Sequence, residues 1–257
     1  MTTQGTPRPN PILDVLLDDL PEVQPPHFAG LSHVLGDCVP DENVGQVAVL
    51  DHVAAQVPKS GSFRVLDLGC GFGKSKAFFD DLNADLHWNG VDISERWDVE
   101  DETFQKACKT YNGVDIPFEK NTFDMVFSTQ VFEHVRLPEP LLKEIRRVLK
   151  PGGVFTGSVS CMEPFHMRSI FCFTPYGWKT ILEDAGLPLR FLASGVDGVS
   201  LSLWHFHRHL DQGRIFRNSN LNAAIDAVVE RDGLDWRSGN VMKLMFSGQM
   251  VFTAQAK

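Results

Sequence analysis

Chemistry-bearing residues are concentrated at a glycine-rich turn, VLDLGCGFG, at residues 65–73. Gly69 permits a tight turn, and Gly71 lets a ligand approach the backbone where a Cβ would intrude. Asp67 precedes the turn as an anion, which suits a ligand that carries a cationic amine. Since ligands of open parallel sheets bind beyond the carboxyl ends of the strands, these residues, together with Cys70, predict a small-molecule site at this turn.

The turn departs from two phosphate-binding motifs. A P-loop requires a glycine five residues before Gly73-Lys74-Ser75, but Leu68 occupies that position. The dinucleotide fingerprint GxGxxG requires its third glycine where Lys74 stands. The sequence therefore favours a ligand that is not recognised through phosphate groups.

Three histidines alternate in WHFHRHL, residues 204–210, as His205, His207 and His209. On a strand, alternate side chains project from one face, where they could bind a metal ion. No carboxylate or cysteine spacing nearby completes such a site. We therefore predict a partly exposed basic patch and no metal site.

The rest of the chain alternates between predicted strands and helices. Apolar residues at helical spacing in PEPLLKEIRRVLKPGG predict a helix that ends before Pro151-Gly152-Gly153. In FTPYGWKTILEDAGL, Thr174 is a predicted N-cap and Gly186 follows the predicted helix end. The predicted strands are FRVLDLG, LHWNGVDI, FDMVFS, GGVFTGSVS, LPLRFLASGV and GQMVFTAQA, which begin at residues 63, 86, 123, 152, 187 and 248. This alternation implies a mostly parallel sheet with helices on both faces.

Two further helices are predicted before the sheet. PILDVLLDDL, residues 11–20, is amphipathic, and residues 41–57 repeat apolar side chains at helical spacing. We predict that residues 1–57 form an N-terminal tail and helical cap. Residues 58–257 would form the main domain, with an insertion around residues 201–243.

Composition excludes several classes of protein. A chain of 257 residues, 43% hydrophobic and 22% charged, can bury a sizeable core. The net charge of -9 argues against a sequence-independent grip on nucleic acid. No apolar run approaches the ~20 residues of a membrane helix, and the N-terminus lacks a secretion signal pattern. Five cysteines without a CxxC pair indicate free thiols. We expect a cytoplasmic protein without nucleic-acid or membrane partners.

Four segments, in order, resemble the class I S-adenosylmethionine-dependent methyltransferases. VLDLGCGFG resembles their first motif, and GVDIS, about 20 residues later, the end of their second strand. IPFEKNTFDMVFSTQVFEHV resembles the segment around the fourth strand, and LKPGG the loop before the fifth. The resemblance implies a seven-stranded, mostly parallel, Rossmann-like α/β sheet. It also implies S-adenosylmethionine as the cofactor and S-adenosylhomocysteine as the product.

The resemblance places the cofactor contacts in the loops after the first four strands. Asp92 would bind both ribose hydroxyls. Many relatives hold the adenine amino group with an acidic residue; here that position is Asn112, whose amide oxygen can still accept a hydrogen bond, and Asp115 is the alternative. The implied cofactor-binding residues are Asp67, Gly69, Cys70, Gly71, Asp92, Ile93, Asn112, Gly113, Thr129 and Gln130.

The segment EPFHMRSIFCFTPYGWKTILEDAGL, residues 163–187, resembles the corresponding part of bacterial type 11 methyltransferases, which are often associated with glycans or small metabolites. A hydroxyl acceptor loses a proton during methylation, so a nearby base helps. His166 and His134 are the candidate catalytic residues, because each follows the carboxyl end of a predicted strand. Glu133 could orient His134 or face solvent. The aromatic residues that could line an acceptor pocket or pack in the core are Phe165, Phe171, Phe173, Tyr176 and Trp178.

We expect transfer of a methyl group from S-adenosylmethionine to a hydroxyl of a small metabolite or sugar. The alternatives are N- or C-methylation of a small molecule, or S-adenosylmethionine binding without turnover. The chain after the fourth strand lacks the NPPY- or DPPY-like sequence of enzymes that methylate amino groups of nucleic acids. The choice between a monomer and a homodimer stays open.

Overall fold

The computed structural model describes residues 26–93, 107–163, 166, 168–206 and 218–257. Its strands are β1 Phe63–Leu68, β2 Leu86–Asp92, β3 Cys108–Thr110, β4 Phe123–Thr129, β5 Leu149–Ser160, β6 Leu189–Ser194 and β7 Gln249–Gln255. They form one seven-stranded sheet in the order β3-β2-β1-β4-β5-β7-β6. Only β7 is antiparallel to its neighbours β5 and β6. The mostly parallel α/β sheet predicted from the sequence is confirmed.

Helices flank the sheet and fill the connections between strands. Those that the structure describes are α1 Pro26–Leu35, α2 Val49–Ala54, α3 Ser75–Leu82, α4 Pro138–Val148, α5 Pro175–Asp184, α6 Gly198–Phe206, α7 Asn220–Asp232 and α8 Trp236–Met245. Short 3-10 helices cover Gly36–Cys38 and Phe132–His134. The predicted N-cap of α5 is confirmed, because the Thr174 side chain accepts a hydrogen bond from the Gly177 amide. None of these helices combines the length and apolarity needed to cross a membrane.

Alternate residues of the central strands enter two separate cores, so both faces of the sheet are covered. On β1, Leu66 belongs to the buried cluster that contains Ile145 of α4, whereas Val65 belongs to the cluster that contains Phe79 of α3. Met125, Val126 and Phe127 of β4 alternate between the same two clusters. The carboxyl ends of β1, β2 and β4 are thereby held side by side at one edge.

The predicted helix over residues 41–57 is wrong for most of its length, since only Val49–Ala54 is helical. Side chains of α8 bind the backbone before it. Asn240 accepts a hydrogen bond from the Val44 amide and donates to two nearby carbonyls. Lys243, almost fully buried, donates to the Val44 carbonyl at 2.8 Å. These tertiary hydrogen bonds take the place of helical ones.

The strand on which the histidines of WHFHRHL would share one face does not form where the structure describes this segment. His205 lies in α6, and neighbouring alternate positions of a helix do not share a face. His207 and His209 lie outside the described residues, as does the predicted helix at residues 11–20. Helices α6, α7 and α8 all lie between β6 and β7, where the sequence predicts an insertion.

Candidate active site

The turn between β1 and α3 has a left-handed backbone. Gly69 and Gly71 have φ of +75° and +51°, values that other residues rarely adopt. The amides of Gly69 and Cys70 donate to the Val91 carbonyl at 2.8 and 3.1 Å. The Gly71 amide donates to a carboxylate oxygen of Asp92 at 2.8 Å. In a phosphate-binding loop, the backbone amides of the turn donate to the phosphate. Here these three amides already donate within the protein, so the turn suits a ligand that is bound through other protein groups.

The two glycines differ in their surroundings. A Cβ on Gly69 would lie 2.4 Å from a methyl carbon of Val131, so glycine lets this turn meet the loop after β4. A Cβ on Gly71 would meet no described atom within 4 Å. Gly69 is therefore required by packing, whereas Gly71 borders open space at the edge of the sheet.

A cavity of about 700 Å³ opens at the carboxyl ends of β1, β2 and β4. The predicted site residues that line it are Gly69, Asp92, Ile93, Asn112, Gly113, Gln130 and His134. The lining residues that sequence reasoning missed are Tyr111, Val114, Val131, Val135, Arg136 and Leu137. Most of these directly follow or precede a predicted residue in the chain, and that proximity is the signal that could have found them.

Asp67 lies beneath the turn and does not line the cavity. The Ser75 hydroxyl donates a hydrogen bond to it, and the Trp88 indole donates to the same hydroxyl at 3.1 Å. Burial raises the pKa of Asp67 to about 7, and the negative charge of Asp92 acts in the same direction. The predicted pairing of this carboxylate with a cationic amine stays a prediction, and it would require the ionised form.

Cys70 and Thr129 belong to the predicted site but have structural contacts elsewhere. The thiol of Cys70 packs 4.0 Å from that of Cys108, and this contact and burial both raise its pKa, so it is neutral at physiological pH. Thr129 ends β4 opposite Ser158 of β5. Neither residue is among those that line the cavity.

Asn112 uses its side chain to hold the turn after β3. Its amide oxygen accepts hydrogen bonds from the amides of Val114 at 2.9 Å and Asp115 at 2.7 Å, and its nitrogen donates to the Asp115 carboxylate at 2.6 Å. An amide oxygen has two lone pairs. An adenine amino group would therefore compete with the turn for this oxygen.

Two buried carboxylates and a histidine lie behind the cavity, next to the lining residue Gln130. Nδ1 of His166 lies 3.2 Å from Glu133 Oε1 and 3.5 Å from Glu163 Oε2. The hydrogen bond to Glu133 raises the pKa of His166 to about 10, and Glu163 acts in the same direction. This imidazole carries its proton at neutral pH and cannot accept another. The catalytic role predicted for His166 stays a prediction, and a general-base role would require the deprotonated imidazole.

Gln130 connects the cavity to these carboxylates. Its backbone has φ of +54°, which is strained for a residue with a side chain. With its amide nitrogen towards the carboxylates, it donates to Glu133 Oε1 at 3.0 Å and Glu163 Oε2 at 3.1 Å, and its oxygen accepts from Ser158. The strained backbone thus serves to place this side chain.

His134 lines the cavity and packs edge-on against His166, with the two ring centroids 5.0 Å apart. Glu133, which the sequence suggested as a partner of His134 or as a solvent-facing group, is fully buried and faces His166 instead. The sequence did not indicate that Glu163 is buried here, because only the folding of the chain after β5 brings it to Glu133.

The aromatic residues after β5 divide between core and surface. Trp178 is fully buried and packs edge-on against Phe173, which in turn contacts Phe171. Tyr176 is exposed, and Phe165 lies outside the described residues. Core packing therefore explains Trp178 and Phe173.

A family model described as "Methyltransferase domain" matches residues 66–156. The chain contains a class I S-adenosylmethionine-dependent methyltransferase domain. The match covers β1 to β5, the strands whose ends surround the cavity. S-adenosylmethionine is the cofactor of this family.

Curated relatives match the methyltransferase domain over part of their length. Demethylmenaquinone methyltransferase of Symbiobacterium thermophilum is 36% identical over 129 residues, which cover 46% of this chain and 50% of that protein. Sterol 4-C-methyltransferase of Caenorhabditis elegans is 32% identical over 112 residues, which cover 40% of this chain and 33% of that protein. The chain thus spans a third to a half of the length of these two relatives.

A solved structure extends the likeness to nearly the whole chain. The [4+2]-cyclase SpnF matches with a TM-score of 0.52 and 18% identity, over 95% of this chain and 92% of its own. At this identity the likeness shows the fold alone.

Proposed function

We propose that this methyltransferase domain transfers the methyl group of S-adenosylmethionine to a hydroxyl oxygen of a small, partly apolar molecule. The observation that carries the proposal is one cavity lined by Gly69 and Asp92 on one side and by Gln130 and His134 on the other. Methyl transfer is an in-line displacement, which requires mainly that acceptor and methyl group be aligned and water excluded. A cofactor bound at Asp92 would present its methyl group to the polar residues after β4.

An oxygen acceptor is favoured by the polar groups on that side. A hydroxyl must be oriented and must lose its proton, and imidazole and carboxylate groups support both steps. His134 lines the cavity directly, and Glu133 and His166 stand behind it. Nitrogen or carbon methylation is the alternative, and the name of the sterol relative refers to carbon.

The body of the acceptor is expected to be apolar. Ile93, Val131, Val135 and Leu137 line the cavity beside the polar groups. Ile93 and Leu137 are both more than half exposed, which is unusual for such side chains unless a ligand covers them. The names of the sterol and menaquinone relatives agree with such an acceptor. A sugar would match this lining less well.

The test is a panel of acceptors presented to the purified chain with S-adenosylmethionine. Isoprenoid alcohols, phenols and sugars would be compared with amines and alkenes of the same carbon skeleton, and product and S-adenosylhomocysteine would be measured by mass spectrometry. We expect a methyl ether from an apolar alcohol or phenol. Asp92→Ala should abolish the signal at limiting cofactor, whereas Asp85→Ala, at the exposed amino end of β2, should not.

Three outcomes would contradict the proposal. A methyl group found on nitrogen or carbon would show that the acceptor atom is not a hydroxyl oxygen. Preference for sugars over apolar alcohols would contradict the role of the apolar lining. Tight S-adenosylhomocysteine binding without any methylated product, including in cell extracts, would favour a binding protein without turnover.

A further inference from the structure

Three side chains with metal-binding atoms meet behind the cavity. Glu133, His134 and His166 each offer one such atom, and these atoms all lie within 4.8 Å of one another. Two ligands that each lie ~2.1 Å from one ion are roughly 3–4 Å apart. Nδ1 of His166 and Oε1 of Glu133 are already 3.2 Å apart. Small side-chain movements would therefore place all three atoms around one ion.

Glu133 provides an independent indication that a cation binds here. It is fully buried, and its Oε1 accepts a hydrogen bond from the Ser160 hydroxyl at 3.2 Å. Its other oxygen, Oε2, is buried without a hydrogen-bond partner among the described residues. An unsatisfied oxygen on a buried carboxylate is costly, and a cation bound through both oxygens of Glu133 would remove that cost.

The charges around Glu133 point the same way. Glu163 is a second buried carboxylate, 3.5 Å from His166 Nδ1 and 3.3 Å from His205 Nε2. Within the described part of the chain, the ion pairs of both glutamates are made with imidazoles and not with lysine or arginine. Two carboxylates in a region of low dielectric need opposite charge close by. A divalent ion supplies two positive charges at one point.

We propose that Glu133, His134 and His166 bind a divalent first-row transition-metal ion at the border of the cavity. Two imidazoles and one carboxylate are the donor set that Zn²⁺, Mn²⁺ or Fe²⁺ accepts, whereas Mg²⁺ prefers oxygen alone. His166 would release its proton to solvent when it binds the ion. A site with three protein ligands keeps positions open for another molecule. Because His134 also lines the cavity, an acceptor oxygen could occupy such a position.

A metal ion at this site would change how the acceptor hydroxyl loses its proton. An ion that binds the acceptor oxygen lowers the pKa of its hydroxyl, as zinc does for bound water. The two histidines would then serve as ligands, and the proton of the ion-bound hydroxyl would pass to solvent water instead of to a protein base. The proposed function supplies only the reason to place an acceptor here, and metal binding is measured without it.

Metal binding is tested on the untagged full chain after treatment with a chelator and its removal. Co²⁺ is titrated and followed by its visible absorption, which reports nitrogen ligands, and Mn²⁺ is followed by electron paramagnetic resonance. We expect one ion per chain, with Zn²⁺ displacing Co²⁺. Glu133→Gln and His134→Ala should each weaken binding by at least about 10–100-fold, the range seen even for groups behind the ligands.

His205→Gln is the matched control, because His205 belongs to the same network through Glu163 but lies outside the three-residue set. It should change metal affinity by less than the ligand variants do. Thermal unfolding and S-adenosylhomocysteine binding show that each variant is folded. If Glu133→Gln fails to fold, His134→Ala, whose side chain is half-buried, carries the test.

No Co²⁺ or Mn²⁺ binding by the wild-type chain at millimolar concentration would overturn the site. Binding that survives both Glu133→Gln and His134→Ala would overturn the assigned ligands. Methyl transfer that persists in metal-free protein would leave the proposed function intact while removing the metal from it. The two proposals can therefore fail separately.

Discussion

The two sides of the cavity are built by different means. The cofactor side consists mainly of backbone: a glycine turn whose amides are bound by β2, with Asp92 holding the Gly71 amide. The side where we propose that the acceptor binds is backed by side chains from the loops after β4 and β5. These are the buried Glu133 and Glu163 and the partly exposed His166. Backbone geometry follows from a short local sequence, whereas a side-chain cluster depends on loops that meet only in the folded chain.

This difference teaches where the specificity of the domain lies. A turn that depends on glycine conformation tolerates few changes, so it suits a cofactor that many enzymes share. A cluster of side chains can change by single substitutions without disturbing the sheet. We therefore expect the choice of acceptor to depend on this side-chain cluster and on the apolar residues that line the cavity beside it.

The largest expected effect is on the rate of methyl transfer and distinguishes the two sides of the cavity. His134→Ala should lower the rate of methyl transfer by roughly 10²–10⁴-fold, whether His134 accepts a proton or holds an ion at the acceptor oxygen. S-adenosylhomocysteine affinity should not change, because the variant leaves the glycine turn and Asp92 intact. Single-turnover kinetics and calorimetry check the two halves of this prediction.

His87→Ala, an exposed histidine on β2, is the control and should change neither quantity. A parallel loss of cofactor affinity in His134→Ala would assign His134 to the cofactor side and remove the division between the two sides.

The second effect concerns Asp67 and pH in the cofactor-free protein. Its pKa of about 7 lies above the ordinary value of 3.8, so the folded state binds the proton more tightly. Its contribution to stability therefore falls as pH rises from about 4 to 7 and is constant above that range. Between pH 5 and 7 the loss is about 2 kcal/mol, at 1.36 kcal/mol for each pKa unit, because Asp67 is already half ionised at pH 7.

Asp67→Asn should remove this part of the pH dependence, while Asp85→Asn, which is exposed, should retain it. The measurement is the free energy of unfolding against pH in urea. A pH profile that is the same in the wild-type chain and in Asp67→Asn would mean that Asp67 titrates normally. Lower cofactor affinity in the same variant above pH 7 would support the predicted contact with a cationic amine.

The third effect is a loss of cofactor affinity. If the Asp92 carboxylate accepts hydrogen bonds from the ribose hydroxyls, as the resemblance implies, each is worth ~1.5–3 kcal/mol, and Asp92→Ala should lower cofactor affinity by about 2 kcal/mol or more. Asp85→Ala, at the other end of the same strand, should have no effect. Calorimetric titration with S-adenosylhomocysteine measures the affinity of each variant. A folded Asp92→Ala protein with wild-type affinity would remove Asp92 from the cofactor site.

The smallest effect distinguishes the two glycines of the turn. Alanine in a left-handed conformation costs roughly 1–2 kcal/mol at either position. Gly69→Ala should lose more stability than this, because its Cβ meets Val131, whereas Gly71→Ala should lose only the conformational cost. In Gly71→Ala the larger loss should be in cofactor affinity, since its Cβ enters open space. Equal unfolding temperatures for the two variants would contradict the packing argument.

Local sequence was sufficient where local geometry dictates structure. The turn at Gly69, the strand before it and the capped helix after Thr174 were all predicted, because left-handed glycines, apolar runs and capping residues act within a few positions. It was insufficient where distant groups compete with the local preference. The helical pattern over residues 41–57 gives way to hydrogen bonds from Asn240 and Lys243, which lie about two hundred positions away.

The sequence by itself determined the sheet, the glycine turn and the family, since four local motifs in order specify the cofactor half. Only the tertiary structure decided that Glu133 and Glu163 are buried together around His166, and that His166 therefore holds a proton. The physical reason is that charge state depends on burial and on neighbours, and both are set by contacts between loops. The spacing of charged residues along the chain records neither.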